Sequence, residues 1–211
     1  MRITTQRTLF SFLALAAIFC IIGCKNSDST NRDPGKSESA DEGSRRVVIR
    51  DKFTPEEQKQ HLDWLFGDAE TMERMRTAGK VIAYRVGSKP LDFLPQDVQA
   101  RATSGEEIGM YPVLDEPVEM SREDAKALRD YLLDGTNLSS LHAMCILEPG
   151  VAARFVSGDT PIDVLICFKC GQVSVRHGRF NGSGDYKGLT GLLPLFQKLF
   201  PDDKELQEFG P

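Results

Sequence analysis

The fold is decided by residues 151–177, VAARFVSGDTPIDVLICFKCGQVSVRH. This stretch holds three short apolar runs, which are separated by Gly158-Asp159 and by Lys169-Cys170-Gly171. Turn residues between apolar runs of strand length are typical of strands joined by tight turns. A fourth apolar run, His142–Leu147, precedes them across Pro149-Gly150. We therefore predict an antiparallel meander in the C-terminal half of the chain.

Helix signals flank this meander on both sides. Thr54-Pro55-Glu56-Glu57 combines a capping hydroxyl, a proline suited to the first helical turn and an acid that completes a capping box. It predicts a helix over about 55–66. N-cap residues, stop signals and helical periodicity predict further helices at 68–76, 121–135, 189–200 and 204–209.

The remaining segments complete the predicted fold. Strands are expected at Val81–Val86 and near Ile108–Leu114, and the glycine-rich stretch Gly178–Gly188 is predicted to be a loop. Four large apolar side chains of the first two helices are expected to face the core: Trp64, Leu65, Met72 and Met75. Helices packed on a small antiparallel sheet make an α+β fold. We predict that residues 47–211 form it as a single domain.

Composition limits the classes of protein to which the chain can belong. It has 40% hydrophobic and 27% charged residues, which is ordinary for a globular domain. The formal charge is -5, and loss of Arg2 and Arg7 with residues 1–23 would leave -5 - 2 = -7. Proteins that bind nucleic acid need clustered Lys and Arg side chains. This acidic balance excludes nucleic acid as an expected partner.

The first 23 residues have the layout of an export signal. Arg2 and Arg7 precede an uncharged run from Thr8 to Gly23, in which Leu9–Ile22 is almost entirely apolar. A positively charged start followed by a short apolar run is typical of a secretory signal. The run is shorter than the roughly 20 apolar residues that a membrane-spanning helix needs. We predict that residues 1–23 are a cleaved signal peptide.

The residues Ile21-Ile22-Gly23-Cys24 resemble the lipobox of bacterial lipoprotein precursors. In that family the cysteine receives a diacylglycerol, the signal peptidase cuts before it, and the new amino group is commonly acylated. The resemblance implies lipidation at Cys24 and a permanent membrane anchor of two or three acyl chains. Lys25 stands where an Asp would favour retention on the inner membrane, so the resemblance implies an outer-membrane address in a host with two membranes.

A polar linker follows the predicted anchor. Residues 24–46 contain Ser, Asp, Gly and Pro throughout, and Ala40 is the only apolar residue after Cys24. Such a composition cannot bury enough apolar surface to fold alone. As flexible coil, the 22 residues after Cys24 would span about 26 Å root-mean-square. We interpret 24–46 as a tether between lipid and domain.

The block from Cys145 to Gln207, which carries CILEPGVAARF and DVLICFKCGQVSV, resembles a domain of uncharacterised bacterial proteins. That resemblance carries no known activity, so it implies no functional residue.

Three cysteines remain in the predicted domain: Cys145, Cys167 and Cys170. One hypothesis is structural zinc, because His142-x-x-Cys145 and Cys167-x-x-Cys170 resemble paired ligand knuckles with His142 or His177 as the fourth ligand. Residues three apart on a strand point to opposite faces, which weighs against it. A redox dithiol is a second hypothesis, but a turn and a strand follow Cys170 where a helix would lower the thiol pKa.

The third hypothesis is a structural disulfide that leaves one thiol free. Cys145 could pair with either Cys167 or Cys170, and the sequence does not choose between them. A bridge from Cys145 would close a long loop and stabilise by roughly 3 kcal/mol, more than the local pair. A structural role therefore favours a bridge from Cys145.

No motif for catalysis stands out in the sequence, and no catalytic residue or cofactor is predicted, zinc excepted. We expect an envelope lipoprotein whose domain binds a protein partner or supports an assembly, and is not an enzyme. The alternative is a thiol- or zinc-dependent protein that uses Cys145, Cys167 and Cys170.

Overall fold

A six-stranded antiparallel sheet lies at the centre of the fold. The computed structural model describes residues 52–102, 104–141 and 144–210. The sheet has the order β4-β1-β5-β6-β7-β8, and β2 and β3 form a separate hairpin. The strands are β1 Lys80–Arg85, β2 Glu107–Ile108, β3 Tyr111–Pro112, β4 Val118–Glu119, β5 Val151–Val156, β6 Ile162–Cys167, β7 Gln172–His177 and β8 Phe180–Asp185.

Six α-helices accompany the sheet in the described residues. They are α1 Pro55–Phe66, α2 Ala69–Thr77, α3 Gln96–Gln99, α4 Arg122–Leu133, α5 Leu193–Leu199 and α6 Lys204–Glu208, with short 3-10 turns at Leu91–Phe93, Gly135–Asn137 and Leu189–Leu192. The predicted caps are confirmed. Thr54 and Glu57 form the capping box of α1, Asp68 caps α2 and Ser121 caps α4. The α+β class is therefore confirmed.

The meander is confirmed for three of its strands and wrong at its two ends. β5, β6 and β7 lie where the apolar runs predict them. Residues 144–147 of the predicted first strand are not a strand, and residues 142 and 143 lie outside the described part. The last strand is instead β8, Phe180–Asp185, within the predicted glycine-rich loop.

Glycine in β8 has a steric cause. A Cβ atom at Gly182 would lie 2.1 Å from the backbone oxygen of Leu65 in α1, and one at Gly184 would lie 3.4 Å from the Leu65 side chain. No side chain fits between the strand and the helix at position 182. The helix therefore packs directly on the backbone of β8. Glycine by itself destabilises a strand. The close approach of α1 is the reason for glycine at position 182.

The two faces of the sheet are covered differently. The helices pack on one face around fully buried side chains such as Phe66, Met75 and Phe155. The β2–β3 hairpin covers part of the other face, where Ile108 is fully buried with Leu165. Both faces of the central strands are therefore buried, which explains the nearly continuous apolar run in β6.

Leu65, Met72 and Met75 are buried as predicted, but the prediction for Trp64 is wrong. Trp64 is 62% exposed. Leu65 and Phe66 mark the inward side of α1, and each residue turns a helix by about 100°. Trp64, one position before Leu65, is rotated out of that arc. An aromatic residue is therefore left on the outer flank of the helix.

A buried ionic cluster fixes the C-terminal helix to β1. Arg85 Nε donates to Asp203 Oδ2 at 2.8 Å, and the two side chains are 3% and 1% exposed. Arg101 Nη2 donates to the same carboxylate oxygen at 2.6 Å. The other oxygen of Asp203 accepts from Leu206 N–H at 2.7 Å and caps α6. Arg85 Nη2 also donates to the exposed carboxylate of Glu205 at 2.5 Å. Asp203 is therefore the buried one of two carboxylates that pair with Arg85, and it also begins a helix.

Burial alone would raise the pKa of Asp203. The hydrogen bonds from Arg101 and from the Leu206 amide, with the charge of Arg85, outweigh burial and lower it. Because this pKa is lower in the folded than in the unfolded chain, the stabilisation is complete above the unfolded pKa of about 4. It is lost as pH falls through the folded pKa.

Asp203→Asn is expected to lower the free energy of unfolding at pH 7 by about 3 kcal/mol, because the buried Arg85 loses its buried carboxylate and keeps only the exposed one of Glu205. Asparagine still caps α6, so loss of the cap does not explain the effect. Urea denaturation measures it, and the loss of stability below pH 4 should be shallower in the variant. Asp202→Asn, at the exposed neighbour, is the control and should change stability by less than about 0.5 kcal/mol. Equal effects of the two variants would contradict this role of Asp203.

Candidate functional site

The outer edge of β8 is one side of the candidate site. β8 ends the sheet and pairs only with β7 among the described strands. Tyr186 N–H donates back to Gly171 O at 2.7 Å, whereas Asp185 O accepts from Ser139 N–H on the opposite side at 2.8 Å. Backbone groups of successive strand residues alternate in direction. The N–H and C=O groups of Asn181 and Ser183 therefore point away from the sheet.

A groove of about 720 Å³ runs along this edge. One wall comes from α1 and the residue before its cap, with Phe53, His61 and Trp64. The other wall comes from described residues of 138–141 and 144–147, with Leu138, Cys145 and Leu147. Ser183, Gly184 and Asp185 of β8 lie between them. The groove is within the usual size of ligand sites and is mainly apolar.

The helix wall carries a stacked pair beside an exposed aromatic residue. The Phe53 and His61 rings lie 4.1 Å apart, centroid to centroid. Trp64 follows His61 by three residues, so it lies on the same side of α1. A ring stack next to an exposed indole gives this wall a wide apolar surface with polar edges.

Exposed apolar side chains also lie close to Cys145 in the sequence. Met144 and Ile146 are 102% and 85% exposed, and Leu141 is 62% exposed. With Trp64 they are four of the five most exposed large apolar side chains of the described residues. Leu141, Met144 and Ile146 do not line the groove, whereas Trp64 does. Trp64 is therefore the strongly exposed apolar side chain that marks the groove as an interaction site.

A disulfide holds this wall in place. Cys145 is bonded to Cys170, with 6.5 Å between the two Cα atoms. Cys170 lies in the turn between β6 and β7, so the bond fastens an irregular segment to the rigid sheet. Cys167, at the end of β6, is a free and buried thiol. The structure therefore has a bridge from Cys145, which a structural role favours, and its partner is Cys170 rather than Cys167.

The residues proposed for zinc do not come together in the described part. His177 lies at the far end of β7 from Cys170, where its Nε2 is 3.1 Å from Phe66 O and 3.3 Å from Thr71 Oγ1. Cys145 and Cys170 are bonded to each other, which removes both thiolates as ligands. His142 lies outside the described residues. The described residues contain no cluster of three or more metal-ligating side chains.

A second concavity, of about 730 Å³, adjoins the Arg85–Asp203 cluster. Arg101 on its wall is held by Asp115 at 2.7 Å and by Asp203 at 2.6 Å. Arg101, Asp115 and Asp203 are thus already paired with one another within the fold. The edge groove differs because its apolar walls and strand edge face outward.

No family model, no curated protein and no solved structure matches this chain. Within the described residues, no helix has the length and apolar character to cross a membrane. The signal and lipobox residues, the linker and Cys24 lie outside the described part. The groove is therefore interpreted from its own geometry.

Replacing both Cys145 and Cys170 by Ser is expected to lower the free energy of unfolding by about 3 kcal/mol, since the bridge spans 25 residues. Chemical denaturation measures the loss, and non-reducing peptide mapping locates the bond. The control is Cys167→Ala, which should keep the Cys145–Cys170 peptide intact. Three free thiols together with one stoichiometric zinc ion in the unaltered protein would refute the disulfide.

Proposed function

We propose that the protein is an exported lipoprotein with lipids on Cys24 and a tether over 24–46, and that its α+β domain binds a partner in the envelope without catalysing a reaction. The edge groove is its binding site. The single observation that carries the binding role is the exposure of Trp64 on an apolar groove beside an open strand edge. The N-terminal residues support the anchor, with an outer-membrane address in a host that has one.

The chemistry of the groove favours binding of a chain segment. Asn181 and Ser183 offer outward backbone groups, to which an extended segment can add as a further strand. Tryptophan is among the side chains that most often dominate binding energy at interfaces. The Cys145–Cys170 bond keeps the opposite wall ordered before binding, which reduces the entropy lost on association. A preformed apolar groove with a strand edge therefore supports recognition of an extended apolar peptide segment.

The alternative thiol- or zinc-dependent function has weaker support from the geometry. The Cys145–Cys170 pair joins a groove wall to a turn, and neither cysteine begins a helix that would lower its thiol pKa. Cys167 is fully buried, so reagents cannot reach its thiol without opening the sheet. We retain the binding domain as the proposed function.

Cys24→Ser is expected to abolish incorporation of radiolabelled fatty acid and to leave an unprocessed precursor. The reason is that the lipobox places the acylated thiol at Cys24. Metabolic labelling followed by electrophoresis shows both effects. Cys20→Ser is the control and should label normally. Label that persists on the Cys24→Ser variant would rule out this anchor.

The binding role predicts position-specific cross-links in cells. A photoreactive phenylalanine analogue in place of Trp64 is expected to give a discrete protein adduct, because that side chain faces the groove. The same analogue at Phe93, an aromatic residue that is 73% exposed outside the groove, is the control and should give none. Adduct mass on blots is the measurement. The same adducts from both positions, or none from position 64, would contradict a partner in the groove.

A further inference from the structure

One arginine of the sheet has no internal partner. Arg176, in β7, is partly buried, and its Nε is enclosed without a hydrogen-bond acceptor among the described residues. Its two Nη groups form no ion pair or hydrogen bond within the same part of the chain. The buried or partly buried Arg85, Arg101 and Arg154 each pair with a carboxylate. Because a guanidinium that is shielded from water without a partner is unfavourable, Arg176 is an exception that the fold itself does not explain.

The nearest acid by register is already in use. Asp163 in β6 lies directly opposite Arg176, but both of its carboxylate oxygens accept from Arg154, at 2.7 and 3.1 Å. On the other side of Arg176, in β8, lies the neutral Asn181, whose Oδ1 accepts from Ser174 Oγ at 3.1 Å. The sheet therefore places Arg176 between an occupied carboxylate and an uncharged amide.

The β2–β3 hairpin holds the guanidinium in place. A Cβ atom at Gly109, in the turn of the hairpin, would overlap Nη1 of Arg176 and lie 2.7 Å from its Cζ. The φ angle of Gly109 is +70°, in the left-handed region that favours glycine. The turn therefore lies directly against the guanidinium, and no larger residue fits there without moving it. A cation that is held in one position before binding loses less conformational entropy when a ligand arrives.

The guanidinium lies close to a wall of the groove. Burial raises the pKa of Tyr111, and the positive charge of Arg176 acts on the same hydroxyl in the opposite direction. That hydroxyl donates to Leu147 O at 3.1 Å, and Leu147 lines the groove. The charge of Arg176 is therefore near a hydrogen bond that supports this wall.

Arg176 also shares a face of the sheet with the open edge. Its cross-strand neighbour Asn181 and the groove residue Ser183 alternate with Gly182, which packs against α1. Since successive strand residues face opposite sides, Arg176, Asn181 and Ser183 lie on the face away from α1. In a strand added to β8, the residue paired with Asn181 lies on this face too, two strand spacings or roughly 10 Å from Arg176. The side chains of a glutamate and an arginine can together bridge that separation.

We propose that Arg176 is a carboxylate-binding site, and that the segment of the partner that adds to β8 carries an acidic side chain opposite Asn181. The planar guanidinium can donate two parallel hydrogen bonds to one carboxylate through its Nη groups, which are not among the enclosed unpaired atoms. A single guanidinium also matches the single charge of a carboxylate. The description of the partner rests on the proposed function, whereas the binding of a carboxylate by Arg176 does not.

Removal of the charge tests whether Arg176 serves the fold or a ligand. The experiment uses the chain from residue 24, with Cys24→Ser to keep it unlipidated. Arg176→Met keeps an unbranched apolar stem and removes the unpaired charge, so it is expected to raise the melting temperature by about 2 °C or more. Arg179→Met, which removes an equal charge from the exposed turn between β7 and β8, is the control and should change it by less than about 1 °C. A lower melting temperature of Arg176→Met would identify a structural arginine and overturn the proposal.

Acetate is the simplest carboxylate probe of the site. At pH 7 and matched ionic strength, sodium acetate in place of sodium chloride is expected to raise the melting temperatures of the chain with Arg176 and of Arg179→Met. The part of the gain that depends on Arg176 is about 1 °C when acetate is present at its dissociation constant, and Arg176→Met should lack it. Equal gains in all three chains would refute carboxylate binding. A gain with inorganic phosphate and none with acetate would refute it as well, because the site would then select phosphate.

The acidic segment of the partner is tested with the cross-link in cells. Combined with the photoreactive analogue in place of Trp64, Arg176→Met is expected to reduce the adduct about tenfold, which corresponds to the loss of one charge-assisted pair. Arg179→Met should leave the adduct unchanged at equal protein level. An undiminished adduct in Arg176→Met would overturn the acidic segment while the proposed partner stands. If acetate stabilises through Arg176 but position 64 gives no adduct, the proposed partner fails and the carboxylate site stands.

Discussion

The contact on which the site depends is the direct approach of α1 to the backbone of β8. Because Gly182 has no side chain, the carbonyl of Leu65 can lie where a Cβ atom would be only 2.1 Å away. The helix thus forms a wall close to the last strand. Leu65 and Phe66 take the inward positions of α1, which leaves Trp64 on the side that faces the groove. The edge, the wall and the exposed indole therefore share one steric cause.

The α+β class and most helix boundaries could be predicted because their signals are local. The capping box at Thr54 and the caps at Asp68 and Ser121 act within one helical turn, and the apolar runs of β5 to β7 carry their own turns. β8 could not be predicted, because its glycines are favourable only under α1, which is more than 110 residues away in the sequence. The strand predicted over 142–147 is wrong for residues 144–147, because apolar side chains alone do not make a strand. The apolar side chains Met144 and Ile146 face solvent in a segment held by Cys145.

The groove was missed because Trp64 was taken for a core residue. A signal was nevertheless present, since Trp64 is out of phase with Leu62, Leu65 and Phe66 on a helix of 3.6 residues per turn. The cysteines could be singled out from the sequence, because cysteines are few and chemically distinctive. In the fold, the bond between Cys145 and Cys170 holds one wall of the groove in place. Sequence reasoning thus identified the reactive side chains and missed the surface. That surface forms only when α1, β8 and the residues around Leu138 and Cys145 meet.

The size of the available interactions limits the affinity of the groove for a short free peptide. Covering Trp64, which is 62% exposed, would contribute about 4 kcal/mol from roughly 150 Å² of apolar area. The four outward backbone groups of Asn181 and Ser183 would add about 4 kcal/mol at roughly 1 kcal/mol for each hydrogen bond. A free peptide loses about 4–15 kcal/mol of translational and rotational freedom on association, which offsets most of this gain. The same contacts therefore give a short free peptide only weak affinity, so a tightly bound partner must make contacts beyond Trp64 and the two strand residues.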